Sequence, residues 1–322
     1  MIVSWMTTNR CNLNCRHCYQ DAGEAKSEEL STEEAKSLID GIARAGFKIM
    51  IFSGGEALMR KDIFELVAYA SAQGLRPVFG TNGTLITPQV AERLKNSGAK
   101  AMGISLESMD AEKHNAFRGD PTAYQRTMKG IENCRNAGLP FQIHMTIMDW
   151  NQDEVCDVID FAESAGAMAV YLFFLVPVGE YEELLRRVMN KQKEVSLTIK
   201  PTCAPQFMRV AKELDVPVSR RFTRGCLAGL TYCIISPVGK VRPCAYMTEE
   251  AGDIRETPFD RIWKESELFK RLRTRAYGGS CASCGYADIC GGCRARAAYA
   301  HDGDYMAEDS YCVCSDEPWE VM

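Results

Sequence analysis

The sequence lacks any apolar run of the roughly 18 residues that a membrane-spanning helix needs. Its first residues, MIVSWMTTNR, have no signal-peptide pattern. Positive charge is not in excess either, because the formal net charge is −5 at pH 7, and nothing global in the composition favours nucleic acid. These absences predict a cytoplasmic protein with no membrane and no nucleic-acid partner. The 322 residues, 46% hydrophobic and 25% charged, are typical of a globular protein with a substantial core.

Cysteine, in contrast, is abundant. The chain has 15 cysteines, more than packing requires, and a reducing compartment does not favour structural disulfides. Three lie at 11–18 and nine lie between 226 and 314, while Cys134, Cys156 and Cys203 stand alone. Thiols gathered at both ends of the chain predict metal sites at both ends.

The order of apolar and amphipathic stretches predicts the fold. From residue 1 to about 176, six apolar runs alternate with five amphipathic helix patterns. This alternation predicts an α/β fold with a parallel sheet and right-handed crossovers. Six units are too few for a closed eight-stranded barrel, so we expect a partial (β/α)6 TIM barrel over residues 1–180. Its ligands should lie at the carboxyl ends of the strands.

The alternation stops near residue 180. Residues 181–225 are predicted to form bridging helices. Residues 226–322 combine short strands, turns and cysteines with one clear helix pattern, FDRIWKESELFKRLRTRAY. This part predicts a second, metal-dependent module that could not bury a large core alone.

The first group of thiols is Cys11, Cys15 and Cys18, spaced C-x3-C-x2-C after the first predicted strand. A zinc ribbon would require a second close pair, and a disulfide framework would require an even number of thiols. Three thiolates on one loop fit an iron–sulfur cluster that leaves one iron open to a ligand from outside the protein.

The stretch CNLNCRHC after an N-terminal strand resembles the cluster loop of the radical SAM enzymes. The resemblance implies that the three thiolates hold a [4Fe-4S] cluster whose fourth iron is chelated by S-adenosyl-L-methionine. It further implies reductive cleavage of the sulfonium to a 5′-deoxyadenosyl radical that abstracts hydrogen from a substrate. A low-potential donor such as flavodoxin or ferredoxin would supply the electron. His17 stands where the family more often has an aromatic residue.

Further cofactor contacts are predicted at the carboxyl ends of later strands. FSGGEAL resembles the Gly-Gly-Glu motif that binds the methionine amino group in this family, and Arg118 could pair with the methionine carboxylate. Each weaker position is as well explained by a structural role, and Glu107 replaces an Asp common in related sequences. The predicted cofactor-binding residues are Gly54, Gly55, Glu56, Thr81, Asn82, Ser105 and Arg118.

The C-terminal thiols form a third group. Two C-x2-C pairs are a zinc pattern, but eight or more cysteines exceed the needs of one tetrahedral site. The arrangement resembles the SPASM extension of radical SAM enzymes, which carries two auxiliary clusters, with C-x2-C in place of the commoner C-x3-C. The resemblance implies one cluster on Cys226, Cys244 and Cys293, with Cys233 as the fourth ligand. It implies a second cluster on Cys281, Cys284, Cys290 and Cys312, where Cys314 could replace Cys312.

Cys203 lies between Pro201 and Pro205, in the segment that joins the two cysteine-rich parts. An isolated cysteine is usually a small buried residue, yet here we expect it to face a cavity as a catalytic residue. Arginines nearby form either a solvated basic face or a pocket for a substrate with several carboxylates. They are Arg209, Arg220, Arg221 and Arg224.

The stretches TCAPQ and CGGCRARA resemble the tetrapyrrole-modifying branch of the SPASM enzymes, which acts in siroheme-dependent heme and d1-type heme biosynthesis. The resemblance implies an iron-porphyrin substrate that loses acetate or propionate carboxylate carbon. One alternative is a SPASM maturase that crosslinks a ribosomal peptide through thioether or carbon–carbon bonds. Such enzymes usually add a peptide-recognition domain, which we expect to be absent because the first strand begins at the first residues. The other is a non-catalytic electron carrier, against which the Gly-Gly-Glu motif argues.

Overall fold

The computed structural model describes residues 1–20, 22–25, 28–174, 181–219 and 224–313. None of the described helices is long and apolar enough to cross a membrane. The strands are β1 (Ile2–Met6), β2 (Ile49–Ser53), β3 (Arg76–Thr81), β4 (Ala101–Ser105), β5 (Phe141–Ile147), β6 (Ala169–Phe174), β7 (Thr198–Thr202), β8 (Tyr232–Ile235), β9 (Lys240–Arg242) and β10 (Gly252–Asp253).

Helices follow most of the strands. They are α1 (Thr32–Arg44), α2 (Ile63–Ala72), α3 (Pro88–Asn96), α4 (Ala111–Arg118), α5 (Ala123–Ala137), α6 (Val155–Ala165), α7 (Tyr181–Lys191), α8 (Phe207–Glu213), α9 (Phe259–Glu265), α10 (Glu267–Thr274), α11 (Ser280–Ser283) and α12 (Arg294–Ala300). The sequence STEE at the start of α1 has the spacing of a capping box, and the box is present, since Ser31 and Glu34 each accept a hydrogen bond from the other's backbone.

All ten strands form one sheet in the order β10-β9-β8-β1-β2-β3-β4-β5-β6-β7. Neighbouring strands from β1 to β7 are parallel, and β8 adds in parallel to the free edge of β1. The predicted α/β core with a parallel sheet is confirmed. The sheet is larger than six strands, however, because β7 comes from the predicted bridging segment and β8 from the cysteine-rich part.

Three local differences from the sequence predictions have physical causes. Residues 181–225 were predicted to form bridging helices, but they also contribute β7, an edge strand in which the missing N–H of Pro201 is tolerated. The additional helix α4 begins at an Asp110 cap and ends at Gly119, whose φ is +70°. The long helix predicted after residue 258 is divided at Ser266 into α9 and α10.

The two faces of the sheet differ in burial. Side chains such as Trp5, Phe52 and Phe79 are fully buried and belong to the single apolar core shared with the helices. Residues of opposite parity, among them Ser105 and His144, are half-buried on the face that we call the inner face. The inner face of a partial barrel is where a ligand can enter.

Candidate active site

The three N-terminal thiols lie together on the loop after β1. The Cys11 N–H donates to the Gly23 carbonyl at 2.9 Å, and the Cys18 N–H donates to the Cys15 carbonyl at 3.1 Å. Burial, together with the charges of Glu56, Cys15 and Cys18, raises the pKa of Cys11 to about 11. Thiolates gathered in this way are stabilised by a bound metal, which deprotonates its thiol ligands. The structure thus brings the three predicted ligands to one place.

The glycine pair of FSGGEAL supports this loop through its backbone. The Gly55 N–H donates to the Thr8 carbonyl at 2.8 Å, and a Cβ on Gly55 would lie 2.3 Å from the Arg10 carbonyl oxygen. Gly54 has a φ of +140°, and a Cβ there would lie 2.5 Å from the Thr8 carbonyl oxygen. Both glycines are therefore required by the close approach of two backbone segments.

The carboxylate of Glu56 joins the ends of two strands. It is fully buried and accepts hydrogen bonds from the Leu58 N–H at 3.1 Å, the Thr81 hydroxyl at 2.9 Å and the Asn82 N–H at 2.9 Å. Burial raises its pKa. The Asn82 side chain in turn donates to Asn12 Oδ1 on the cluster loop at 3.0 Å. Glu56, Thr81 and Asn82 are thus brought together, and they position the loop.

Arg118, at the end of α4, reaches the same loop. Its Nη2 donates to Glu107 Oε1 at 2.5 Å, and its Nη1 lies 3.5 Å from Cys15 Sγ. The side chain is buried, and its Nε has no hydrogen-bond partner among the described residues. Glu107, which the sequence left without a role, orients the guanidinium and accepts from the Thr146 N–H at 2.6 Å. The unpaired Nε is a donor that an anionic ligand could satisfy.

A second group of thiols forms where the cysteine-rich part meets the segment after β7. Burial raises the pKa of Cys203, and the neighbouring thiols of Cys293, Cys244 and Cys226 raise it further. Burial raises the pKa of Cys244 to about 12, again with Cys293 and Cys226 as neighbours. Cys203 therefore lies in the group predicted to hold the first auxiliary cluster, and not by itself in a substrate pocket.

Backbone contacts hold these thiols in place. A Cβ on Gly225 would lie 2.4 Å from the Pro205 carbonyl oxygen, so only glycine lets the Cys226 segment approach the Cys203 segment so closely. The Cys226 N–H donates to the Cys290 carbonyl at 3.1 Å. Cys203 itself has a φ of +60°, a left-handed conformation that costs a non-glycine residue energy.

Cys233 is not part of this group. Strand alternation places it opposite Val3 on the core side of β8, where it is fully buried. Burial raises its pKa, and the charged group found near it is Arg273 rather than another thiol. The prediction that Cys233 completes the first auxiliary set is therefore corrected, because its neighbour Tyr232 takes the inner-face position.

The remaining C-terminal thiols form the second predicted set. Burial raises the pKa of Cys290 to about 12, and Cys312 and Cys281 are among the neighbours that raise it. Cys284 Sγ accepts from the Tyr286 N–H at 3.4 Å in the turn that leads to Cys290. Cys314, the alternative to Cys312, lies outside the described residues.

A buried ion pair connects the two sets. Arg296 Nε and Nη2 donate to the two carboxylate oxygens of Asp309 at 2.9 and 2.7 Å, and Arg296 Nη1 donates to the Cys203 carbonyl at 2.9 Å. Asp309 Oδ2 also accepts from the Cys293 N–H at 2.7 Å, while its carbonyl accepts from the Cys312 N–H at 3.1 Å. Arginine lowers the pKa of this carboxyl. One pair thus positions backbone at three of the thiols.

The predicted arginine pocket has a different arrangement. Arg209 is paired with Glu182 and with Glu213, both at 2.7 Å, and Arg224 Nε donates to the Asp288 carbonyl at 2.8 Å. These two side chains are therefore committed to protein partners rather than to a ligand. Arg220 and Arg221 lie outside the described residues.

Polar and aromatic side chains line the inner face at one level. Ser105, His144, Tyr171 and Lys200 are in register across β4, β5, β6 and β7. The His144 ring stacks 5.3 Å from that of Tyr171, and a Cβ on Gly103 would lie 2.3 Å from the imidazole. Desolvation lowers the pKa of Lys200 to about 7. Of this row, the sequence analysis had selected Ser105 alone.

Comparisons with known proteins identify the family. Residues 5–162 match the Radical SAM superfamily, and residues 226–285 match the SPASM iron-sulfur cluster-binding domain. The chain is 42% identical to an AdoMet-dependent heme synthase of Methanosarcina barkeri, covering 97% of this chain and 96% of the relative. This protein is a radical SAM enzyme. It is also 43% identical to an AdoMet-dependent heme synthase of Nitratidesulfovibrio vulgaris, covering 97% and 91% of the two chains.

Two further similarities bear on branch and fold. A protein of Methanosarcina barkeri named Fe-coproporphyrin III synthase is 31% identical, covering 98% of this chain and 88% of that protein. The crystal structure of Streptococcus suis SuiB bound to S-adenosylmethionine has a TM-score of 0.76 at 19% identity, covering 97% and 77% of the chains. This radical SAM enzyme therefore belongs to the branch that includes the heme synthases, and it shares its fold with a SPASM-type neighbour.

The residues fit the cofactors of the family, namely S-adenosyl-L-methionine, a [4Fe-4S] cluster and auxiliary iron–sulfur clusters. Three thiols on one loop match a cluster with an open iron, and the unpaired Nε of Arg118 offers a donor beside it. The described residues include no three His, Cys, Asp or Glu side chains that could hold one metal ion. In a [4Fe-4S] cluster each thiolate binds a different iron.

Tyrosines are the main functional candidates that the sequence analysis missed. The ring of Tyr19, the residue after Cys18, lies 5.4 Å from the ring of Tyr246. Tyr19 could have been found from its place beside a predicted ligand. His144 could have been found from the strand pattern FQIHMTI, in which Gln142 and His144 alternate with apolar residues.

Proposed function

We propose that this radical SAM enzyme completes heme formation by removing carboxylate carbon from propionate arms of a siroheme-derived iron porphyrin. The observation that carries the proposal is the contrast between relatives. Identity is 42% to a protein named AdoMet-dependent heme synthase and 31% to one named Fe-coproporphyrin III synthase, each over nearly the whole chain. The later reaction is therefore favoured over the earlier one.

Heme has two vinyl groups where iron-coproporphyrin III has two of its four propionates. Converting one –CH2–CH2–COO⁻ arm to –CH=CH2 releases CO2 and removes one hydrogen atom and one electron. S-adenosyl-L-methionine on the N-terminal cluster supplies the 5′-deoxyadenosyl radical that takes up the hydrogen atom. The remaining electron requires an acceptor, and the cluster held by the thiols around Cys203 is suited to this role. Cys203 is close to the N-terminal loop, because both Cys18 and Cys203 are charged neighbours of Tyr19.

We assign the metal ligands by their grouping. Cys11, Cys15 and Cys18 hold the radical-generating cluster. Cys203 serves as the fourth ligand of the first auxiliary cluster and replaces Cys233 in that role. This assignment also replaces the predicted catalytic role of Cys203. The first auxiliary set is then Cys203, Cys226, Cys244 and Cys293, and the second is Cys281, Cys284, Cys290 and Cys312.

The protein's own residues supply orientation and a desolvated environment rather than acid–base chemistry. Arg118 and the Gly54–Gly55 backbone position the methionine end of the cosubstrate, while Glu56, Thr81 and Asn82 hold the surrounding loops. Ser105 contacts the cosubstrate from the end of β4. A low-potential one-electron donor, a flavodoxin or a ferredoxin, is the external partner in the cytoplasm.

Anaerobic reactions with iron-coproporphyrin III, S-adenosyl-L-methionine and a reductant test this function by mass spectrometry. Counted as neutral acids, the expected product is lighter than the substrate by two CO2 and four hydrogen atoms, because each arm also loses its carboxyl proton, and 5′-deoxyadenosine is formed alongside. A parallel reaction with 12,18-didecarboxysiroheme serves as the control. Conversion of 12,18-didecarboxysiroheme alone would show that the enzyme carries out the earlier step, the formation of iron-coproporphyrin III, and not heme synthesis. Conversion of neither compound would contradict a tetrapyrrole substrate.

A further inference from the structure

Two tyrosines meet between the N-terminal loop and the first auxiliary set. Tyr19 follows Cys18 directly, and its ring centroid lies 5.4 Å from that of Tyr246 with the planes tilted by 49°. The Tyr246 N–H donates to Cys244 Sγ at 3.4 Å. Each tyrosine therefore lies beside one of the two sets of cysteines, and the two rings are in contact across the gap between the sets.

The electrostatic neighbours of the tyrosines confirm their position. Burial raises the pKa of Tyr19, and the thiols of Cys18, Cys203 and Cys244 raise it further. Burial also raises the pKa of Tyr246, with Cys203, Tyr19 and Cys244 as the charged neighbours. Both hydroxyls are thus close to the thiols on which the radical site and the first auxiliary site depend.

Both rings keep part of their surface accessible. Tyr19 keeps 49% and Tyr246 41% of its surface accessible. Each ring is therefore partly covered by protein and partly open to a ligand. Tyr299, in contrast, is 94% accessible and shows what a tyrosine on the outer surface looks like here.

We propose that Tyr19 and Tyr246 form the stacking wall on which the planar macrocycle of the substrate lies, an inference that rests on the proposed function. Aromatic surface left accessible to water is unfavourable, and a flat apolar ligand that covers both rings removes that surface from water. A macrocycle against this wall has Cys18 on one side and Cys203 and Cys244 on the other. Its arms then lie between the site that takes the hydrogen atom and the site beside which the electron leaves.

The proposal assigns the interaction to the ring faces and not to the hydroxyl groups. Phenylalanine should therefore replace either tyrosine without loss of affinity, whereas alanine should not. Each ring that contacts one face of the ligand contributes a stacking interaction beyond the area it buries. Together with the lost apolar contact, this predicts about tenfold weaker binding for each alanine variant.

The test is a Soret-band titration of the anaerobic holoenzyme, without S-adenosyl-L-methionine, against iron-coproporphyrin III. Tyr19→Ala and Tyr246→Ala should each raise Kd about tenfold, and Tyr19→Phe and Tyr246→Phe should leave Kd near that of the wild type. Tyr299→Ala, on the outer surface, is the matched control and should bind and turn over normally. Iron content, measured for every variant, shows whether the clusters remain.

The outcomes are distinguishable. Unchanged Kd in both alanine variants, with full iron content and a wild type that converts the porphyrin, overturns the stacking wall and leaves the proposed function intact. Equal losses in the phenylalanine and alanine variants also overturn it, because the hydroxyls would then carry the interaction. A wild type that neither binds nor converts the porphyrin removes the proposed function and this inference together.

Discussion

The two ends of the molecule hold thiols in different ways. The N-terminal loop has three, Cys11, Cys15 and Cys18, and it rests on the carboxyl ends of parallel strands through the Gly54–Gly55 backbone. The C-terminal part groups its thiols in fours, held by loops around a buried Arg–Asp pair. In the assignment that we propose, the first arrangement leaves a ligand position open and the second closes it.

This difference corresponds to different roles, because the N-terminal cluster binds the cosubstrate and the C-terminal clusters do not. An open iron needs a cosubstrate, so the residues around its loop must present ligand contacts, such as the unpaired Nε of Arg118 on α4. A closed set of four thiols needs only to be held, which Arg296 and Asp309 do through hydrogen bonds to the Cys203 carbonyl and the Cys293 N–H. A thiol-held iron–sulfur cluster can therefore be reactive at one end of the chain and structural or electron-accepting at the other.

Removal of the three N-terminal thiols should have the largest effect. Replacing Cys11, Cys15 and Cys18 together with Ala should abolish 5′-deoxyadenosine formation, because the cluster that binds the cosubstrate is lost. Iron should fall from about twelve to about eight atoms per chain, since the C-terminal sets are independent. Chromatographic assay of 5′-deoxyadenosine and iron analysis provide the measurement, and residual cleavage in this variant would contradict the open-site assignment.

The next prediction concerns the C-terminal part and the buried Arg296–Asp309 pair. Asp309→Asn removes one partner of a buried bidentate pair, a change that typically costs about 3–5 kcal/mol. We expect loss of iron from the auxiliary sets and a lower free energy of unfolding, measured by iron analysis and anaerobic denaturation.

Lys270→Met is the matched control for that variant, because its partner Glu267 is at the surface and their 2.7 Å ion pair is exposed. Surface pairs contribute little, so this variant should retain its iron and its stability. Full iron retention by Asp309→Asn would show that the pair does not hold the auxiliary thiols.

A third prediction concerns one ligand of the first auxiliary set. Cys203→Ser should weaken or remove one cluster, a loss of up to about four irons, because a hydroxyl is a poorer ligand than a thiolate for iron–sulfur clusters. Cys233→Ser should keep all the irons and lose stability instead, since it places a hydroxyl in the apolar core. Mössbauer spectra of the two variants provide the measurement, and the opposite pattern would restore Cys233 as the ligand.

The smallest predicted effect is a pH dependence at His114. The residue is fully buried, its Nδ1 accepts from the Glu107 N–H at 3.2 Å, and burial with the nearby Arg118 lowers its pKa to about 3. The unfolded chain therefore binds a proton below about pH 6.5 that the folded chain refuses. Stability should fall as pH decreases through 6.5 towards 4.

His114→Gln should flatten that part of the stability profile, whereas His301→Gln, at a half-buried position away from this network, should leave it unchanged. Anaerobic thermal melts between pH 7 and 4.5 give the comparison. A variant slope as steep as that of the wild type would exclude His114 as the cause.

The sequence predicted most of the sheet but not its edges. Strong apolar runs identified β1 to β6, whereas β7 lies in a segment that was predicted to be helical, because no pattern in the sequence shows that a strand will lie at an edge. The capping box of α1 was recognisable since both of its residues act locally. Helix α4 was missed, although the Asp110 cap and Gly119 both mark its ends.

The site was predictable where spacing alone decides it. Three close thiols are grouped by the loop that carries them, so Cys11, Cys15 and Cys18 were found directly. Cys203 joins its group only because the Pro205 segment packs on Gly225 far along the chain, and Cys233 leaves it because strand alternation turns it into the core. Such tertiary contacts cannot be predicted from the spacing of the cysteines.

The most direct test of the contrast between open and closed sites is the effect of S-adenosyl-L-methionine on the EPR spectra of the reduced enzyme. The cosubstrate should shift the signal of one cluster in the wild type and leave the others unchanged. No shift is expected in the variant lacking Cys11, Cys15 and Cys18. A cosubstrate-dependent shift in that variant would show that a C-terminal cluster, rather than the N-terminal one, has the open position.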